Sequence, residues 1–129
     1  MRVWVIVAFA FFMVGCAHSR ELAYERSPQV SAERLLSSKA AYQQLVEYRD
    51  GLARAGEDAA AEHVSRDLEH ASLLLKRCEQ LVIAQPLGGQ TDLYLDTLEG
   101  QLVLIRSFKG RHDAERALVM RRRAAEVAR

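Results

Sequence analysis

The sequence is poor in the residues that build turns and sheets. Among 129 residues there are two prolines (Pro28, Pro86) and seven glycines, too little turn chemistry for a sandwich or barrel of many short strands. No glycine-rich strand–turn–helix fingerprint is present, and HExxH, GxSxG, Walker A and CxxC motifs are all missing, which leaves a nucleotide-binding or catalytic reading without support. Aromatic residues are scarce and unevenly placed. Trp4, Phe9, Phe11 and Phe12 lie in the first sixteen residues, so the rest of the chain has only Tyr24, Tyr42, Tyr48, Tyr94 and Phe108. Cysteine is confined to Cys16 and Cys78, and the formal net charge is only +1. What remains is a body rich in Ala, Leu, Glu and Arg, the composition of packed helices and of one small domain.

The N-terminus follows the grammar of an export signal. Arg2 is followed by an unbroken apolar run, Val3 to Val14, and then by Gly15-Cys16. Twelve helical residues span about 18 Å, short of the ~30 Å hydrocarbon core of a bilayer, so a cleaved signal is favoured over a permanent span. Met13-Val14-Gly15-Cys16 resembles a bacterial lipobox. Gly15 gives a peptidase room at the scissile bond, and the Cys16 thiol is the nucleophile that takes a diacylglycerol. Two or three acyl chains then hold a protein firmly at a bilayer, where one would not. An ordinary secretory signal or an uncleaved anchor is the competing reading. Ala17 stands where an inner-membrane retention signal would place Asp; the resemblance thus implies a lipid-anchored protein of the outer membrane, facing the periplasm. The expected organisation is a signal peptide over 1–15, a lipidated cysteine with a polar tether over 16–30, and a helical domain over 31–129.

Three segments within that domain have helical periodicity. The first, about 32–55, presents Leu35, Tyr42, Leu45, Val46, Leu52 and Ala53 on one face, with Ser31 as expected N-cap and Gly56, or alternatively Gly51, as expected stop. The second, about 58–84, has the clearest pattern: Ala61, Val64, Leu68, Ala71, Leu75, Cys78 and Val82 alternate three and four residues apart, a seam broadened by Leu74 and Leu81. Gln85 to Gln90 breaks the chain, and Thr91 is the expected cap of a third segment through Leu95, Leu98, Leu102, Ile105 and Phe108, continuing more thinly beyond Gly110, where it is free to bend or split. The predicted fold class is all-α: an antiparallel helical hairpin plus a third long helix, forming a small up-down three-helix bundle or coiled coil.

Candidate sites are few. His63 and His70 share a helical face, but Cys78 belongs to the opposite seam, so solvated histidines are expected and no metal or cofactor is assigned. Cys78 on the seam reads as a buried thiol rather than an intermolecular disulfide. His112 shows no partner in sequence, and the Asp92/Asp96 spacing is one that helices show by chance. Charge is polarised: residues 57–99 carry a net −6 and residues 100–129 a net +5. The expected consequence is that the basic third helix neutralises the acidic second one. Arg121, Arg122 and Arg123 fan over about 200° of a helix, which does not suit nucleic acid. Arg116, Arg122 and Arg123 are the candidate contacts to an anionic partner, whether phospholipid or peptidoglycan.

The Ala/Leu-rich hairpin from Ala40 to Leu81, and the stretch from Leu93-Tyr94-Leu95 through Asp113-Ala114-Glu115-Arg116-Ala117-Leu118, together resemble the helical-hairpin domain of bacterial envelope lipoproteins that often precedes an OmpA-like peptidoglycan-binding domain. The OmpA-like elements themselves, TDxxG leading to NxxLSxxRA, do not occur in the sequence. The resemblance implies a non-enzymatic structural or adaptor module whose partner is another envelope protein, or a binding module for anionic lipid or peptidoglycan.

Overall fold

The computed structural model describes residues 27–129; Gly15, Cys16 and most of the expected tether lie outside them. The described chain is all-α. Helix α1 spans Pro28–Arg54, α2 spans Asp58–Ala84 and α3 spans Gly89–Val127, packed as an up-down three-helix bundle. At 1.5 Å per residue α1 and α2 are each about 40 Å long and α3 about 58 Å. No helix among the described residues is long and apolar enough to cross a membrane.

The first helix begins earlier than the sequence pattern predicts. Ser27, not Ser31, is its N-cap, with its hydroxyl accepting from the Val30 N–H. Pro28 follows at the first helical position, where its fixed φ is already helical and its missing N–H costs nothing. Residues 28–30, which the sequence reading places in the tether, are helical and belong to α1. Ser31 is buried instead, and its hydroxyl donates to the Pro86 carbonyl at 2.7 Å. The third helix repeats this pattern. Gly88 is its N-cap, while Thr91, fully buried, donates to the Gln85 carbonyl at 2.5 Å. Both hydroxyls that looked like caps satisfy carbonyls of the α2–α3 connection, and the Ser31 bond ties the start of α1 to it.

The other connection behaves as expected. Gly56 adopts φ +77°, the Glu57 N–H bonds to Leu52 O at 2.9 Å and the Gly56 N–H to Ala53 O at 3.1 Å. These paired bonds form a Schellman stop, which needs a residue free to enter the left-handed region.

Ala61, Val64, Leu68, Ala71 and Cys78 of α2 meet Leu45 and Leu52 of α1 and Leu95, Leu98, Leu102 and Ile105 of α3 in one core. The seam departs from strict alternation near its end: Leu75 and Val82 are only partly buried, and Leu81 is buried in place of Val82. A helix of 3.6 residues per turn drifts against a 3.5-residue pattern, and in a three-helix bundle two neighbours share its apolar stripe. Cys78 is fully buried and free, and burial pushes its thiol pKa up, which keeps it in the unreactive protonated form.

Candidate functional site

The bundle has two chemically different poles. At one lie the N-terminus of α1 and the α2–α3 connection, joined by the Ser31–Pro86 bond. Close to this pole Arg34 of α1 binds Glu99 of α3 in a two-pronged pair, Nε to Oε1 at 2.8 Å and Nη2 to Oε2 at 3.0 Å, and also reaches Asp96 at 2.5 Å. Asp92 lies 3.8 Å away. The Glu99 hydrogen bond, with Asp96 behind it, drives the Arg34 pKa upward. The Asp92/Asp96 spacing thus has a structural use, since these carboxylates and Glu99 ring an arginine of the neighbouring helix.

At the other pole α1 and α2 stop and α3 continues. Glu57, in the α1–α2 turn, receives Arg116 Nε on one carboxylate oxygen at 2.7 Å and pairs with His112 through the other. His112 stacks on Phe108 with ring centroids 5.6 Å apart, and His63 of α2 lies against the same Phe108 at 4.5 Å. On the α1 side the Tyr48 hydroxyl donates to Asp113 at 3.3 Å, and Lys109 Nζ sits 4.9 Å from the Tyr48 ring centroid. Desolvation, reinforced by the Asp113 charge, pushes the Tyr48 pKa up to about 12. His63 and His70 are both exposed, as the sequence register predicts, with His63 resting against Phe108, and His112 has a partner 55 residues away in sequence. Among the described residues no group of three or more His, Cys, Asp and Glu side chains is placed to hold a metal ion.

This collar ends the packed body. Arg116 is the last α3 residue that, among the described residues, bonds to the rest of the bundle. Beyond it, residues 117–127 carry the helix about 16 Å further without interruption. Gly110 causes no split. Every residue from Ala114 onward is exposed, including Leu118, Val119, Met120 and Val127. An open groove of about 430 Å³ runs along the start of this overhang, lined by Glu57, His112, Glu115, Arg116, Val119, Met120 and Arg123.

The three arginines singled out in the sequence therefore separate. Arg116 is engaged by Glu57, whereas Arg122 and Arg123 form no ion pair among the described residues. Among the described residues, the basic half of α3 pairs with the acidic segment 57–84 only at Glu57, in the α1–α2 turn, through Arg116 and His112. The acidic start of α3 is answered by Arg34 of α1, and Glu79 of α2 by Lys39 of α1 at 2.6 Å. Sequence missed these partners because each lies on a different helix, and charge sums over segments do not say which faces meet. Comparison of the chain with known family models, with curated proteins and with solved structures gave no match.

Proposed function

We propose that this protein is a non-enzymatic lipoprotein of the cell envelope, anchored through Cys16 to the periplasmic face of the outer membrane, and that its bundle is a structural or adaptor module. The observation that supports this reading is the opposition of the two poles. The chain leads from Cys16 into Ser27 at one end, while the basic overhang of α3 leaves from the other. Residues 17–26 span at most about 36 Å when fully extended, so an anchor at Cys16 tethers the first pole close to lipid and directs Arg121–Arg123 toward the periplasm. Such a layout suits a spacer that presents a charged helical tip to something other than its own membrane.

The second reading is a module that binds anionic lipid or peptidoglycan through Arg116, Arg122 and Arg123. The exposure of Arg122 and Arg123 favours it, whereas the engagement of Arg116 by Glu57 leaves two of the three available. Of the two ligands, peptidoglycan suits the pole that faces away from the anchor.

The test is Cys16→Ser in cells, followed by mass spectrometry of the product. The expected outcome is an unprocessed precursor lacking the lipid mass increment. Normal cleavage and release of that variant would overturn the lipoprotein assignment. Retention of the chain on purified sacculi, lost at high salt, would give the second reading the lead.

A further inference from the structure

The overhang continues the seam of the core. In the body, α3 places Thr91, Leu95, Leu98, Leu102 and Ile105 against its neighbours. Steps of three or four residues, no longer strictly alternating, continue this face through Phe108, His112, Arg116, Met120, Arg123 and Val127. This face still has the geometry of a helix–helix interface, but arginine now alternates with apolar residues. Arg116 and Arg123 are one heptad apart and equivalent on it. Arg116 meets a carboxylate at 2.7 Å because the α1–α2 turn supplies Glu57. Arg123 borders the same groove, past the point where α1 and α2 end, and has no ion-pair partner among the described residues.

We propose that the groove formed by Glu57, Arg116, Val119, Met120 and Arg123 is the docking site for an acidic amphipathic helix of another protein, which gives Arg123 the carboxylate that Glu57 gives Arg116 and covers Val119 and Met120. This deepens the adaptor reading, on which it rests, by naming the partner's chemistry.

Charge and geometry select this occupant. Residues 117–129 carry Arg121, Arg122, Arg123 and Arg129 against Glu126 alone, so a second copy laid along the same face would bring two net-positive tips together, even where Arg123 met the Glu115 of the other copy, and that disfavours pairing. With the chain anchored at Cys16 as proposed, its own residues 17–26 start at the opposite pole and reach at most about 36 Å, so they would be used up spanning the ~40 Å of α1. A bilayer needs one continuous apolar face, but Leu118, Val119 and Met120 are successive residues about 100° apart around the helix. A small anion is poorly enclosed, because Glu57 alone stands opposite α3.

The experiment uses the full chain, in mild detergent for the peptides, where the result does not depend on whether Cys16 carries lipid, and dialysed free of detergent for the vesicles. The probes are a fluorescent three-heptad peptide with Leu at a and d and Glu elsewhere, its Lys counterpart, and vesicles of phosphatidylglycerol. The acidic peptide is expected to bind, to bind more weakly at high salt, and to lose affinity roughly tenfold or more in Met120→Glu and Arg123→Gln. Arg123→Lys should restore part of that loss, and Arg123→Glu should transfer preference to the Lys peptide. Both positions are exposed in the free chain, so circular dichroism of all four variants should be unchanged. The proposal is overturned if the acidic peptide binds no better than its Lys counterpart, or if Met120→Glu leaves binding intact. It is equally overturned if sedimentation shows a dimer that Met120→Glu dissolves, which would put a second copy in the groove, or if vesicles bind with the same sensitivities and the peptide does not.

Discussion

The two ends of α3 are one continuous helix in two different environments. Leu95, Leu98 and Ile105 are wholly buried, whereas Leu118 and Met120 are 53% and 66% exposed. The contrast teaches that helicity and burial are separable here. In the body, the helix is stabilised mainly by its apolar stripe. In the overhang, Ala, Leu, Met, Arg and Glu supply propensity alone, and the body supplies the nucleus that an isolated helix of this length would lack. A run of strong helix formers is what a chain needs to extend a helix beyond its bundle.

The sharpest way to break this comparison is in the core. Leu98→Ala and Leu68→Ala each remove a buried side chain from a filled interface and should cost about 2–5 kcal/mol in urea denaturation. Leu75→Ala should cost less than either, because Leu75 is only partly buried. Equal losses at Leu68 and Leu75 would show that the second helix is rotated from the described register.

How much of this was legible depended on whether the cause was local. Val64, Leu68, Ala71 and Cys78 announce their face because the seam repeats within one helix, and Gly56 announces the turn because a left-handed stop needs glycine. Ser31 and Thr91 misled because a hydroxyl before an apolar run looks like a cap. Its true partner, a carbonyl of the α2–α3 connection, is visible only once the helices are stacked. The pairing of His112 with Glu57 and of Arg34 with Glu99 spans 55 and 65 residues, and nothing in composition selects those partners. The overhang was hidden for a further reason: periodic apolar residues thin out near Gly110 while helix-forming residues do not, and only the ends of α1 and α2 reveal where α3 is left alone.

A smaller effect should come from the boundary between the two regions. Tyr48→Phe removes the hydrogen bond to Asp113 and should cost about 0.5–1.5 kcal/mol at neutral pH. Alkaline conditions add a second test. The folded chain holds the Tyr48 proton more tightly than the unfolded chain, with its pKa pushed from 10 up to about 12. Stability from this group is therefore complete below about pH 10 and is lost as pH rises through about 12. Parent and Tyr48→Phe stabilities should converge across that window, and the tyrosinate absorbance of the parent should show one late-titrating residue that the variant lacks. Parallel stability curves up to pH 12 would mean that Tyr48 is hydrated and the collar is open.

The smallest effect is expected in the overhang, and the comparison with Leu98 depends on it most directly. Leu118→Ala removes the same atoms as Leu98→Ala, but from a side chain already in water, so neither transfer energy nor a cavity is at stake and alanine propagates a helix at least as well. The stability change should stay within about 0.5 kcal/mol. Hydrogen exchange should show the same difference without mutation. Amides of 117–127 open by fraying from the C-terminus and should exchange faster than those of 95–105, which open only when the body does. A gradient that steepens at Arg116 would place the end of the packed body where the Glu57 contact places it. Uniform protection along α3, together with a loss at Leu118 as large as at Leu98, would mean that the isolated chain already buries the overhang against a second copy in solution.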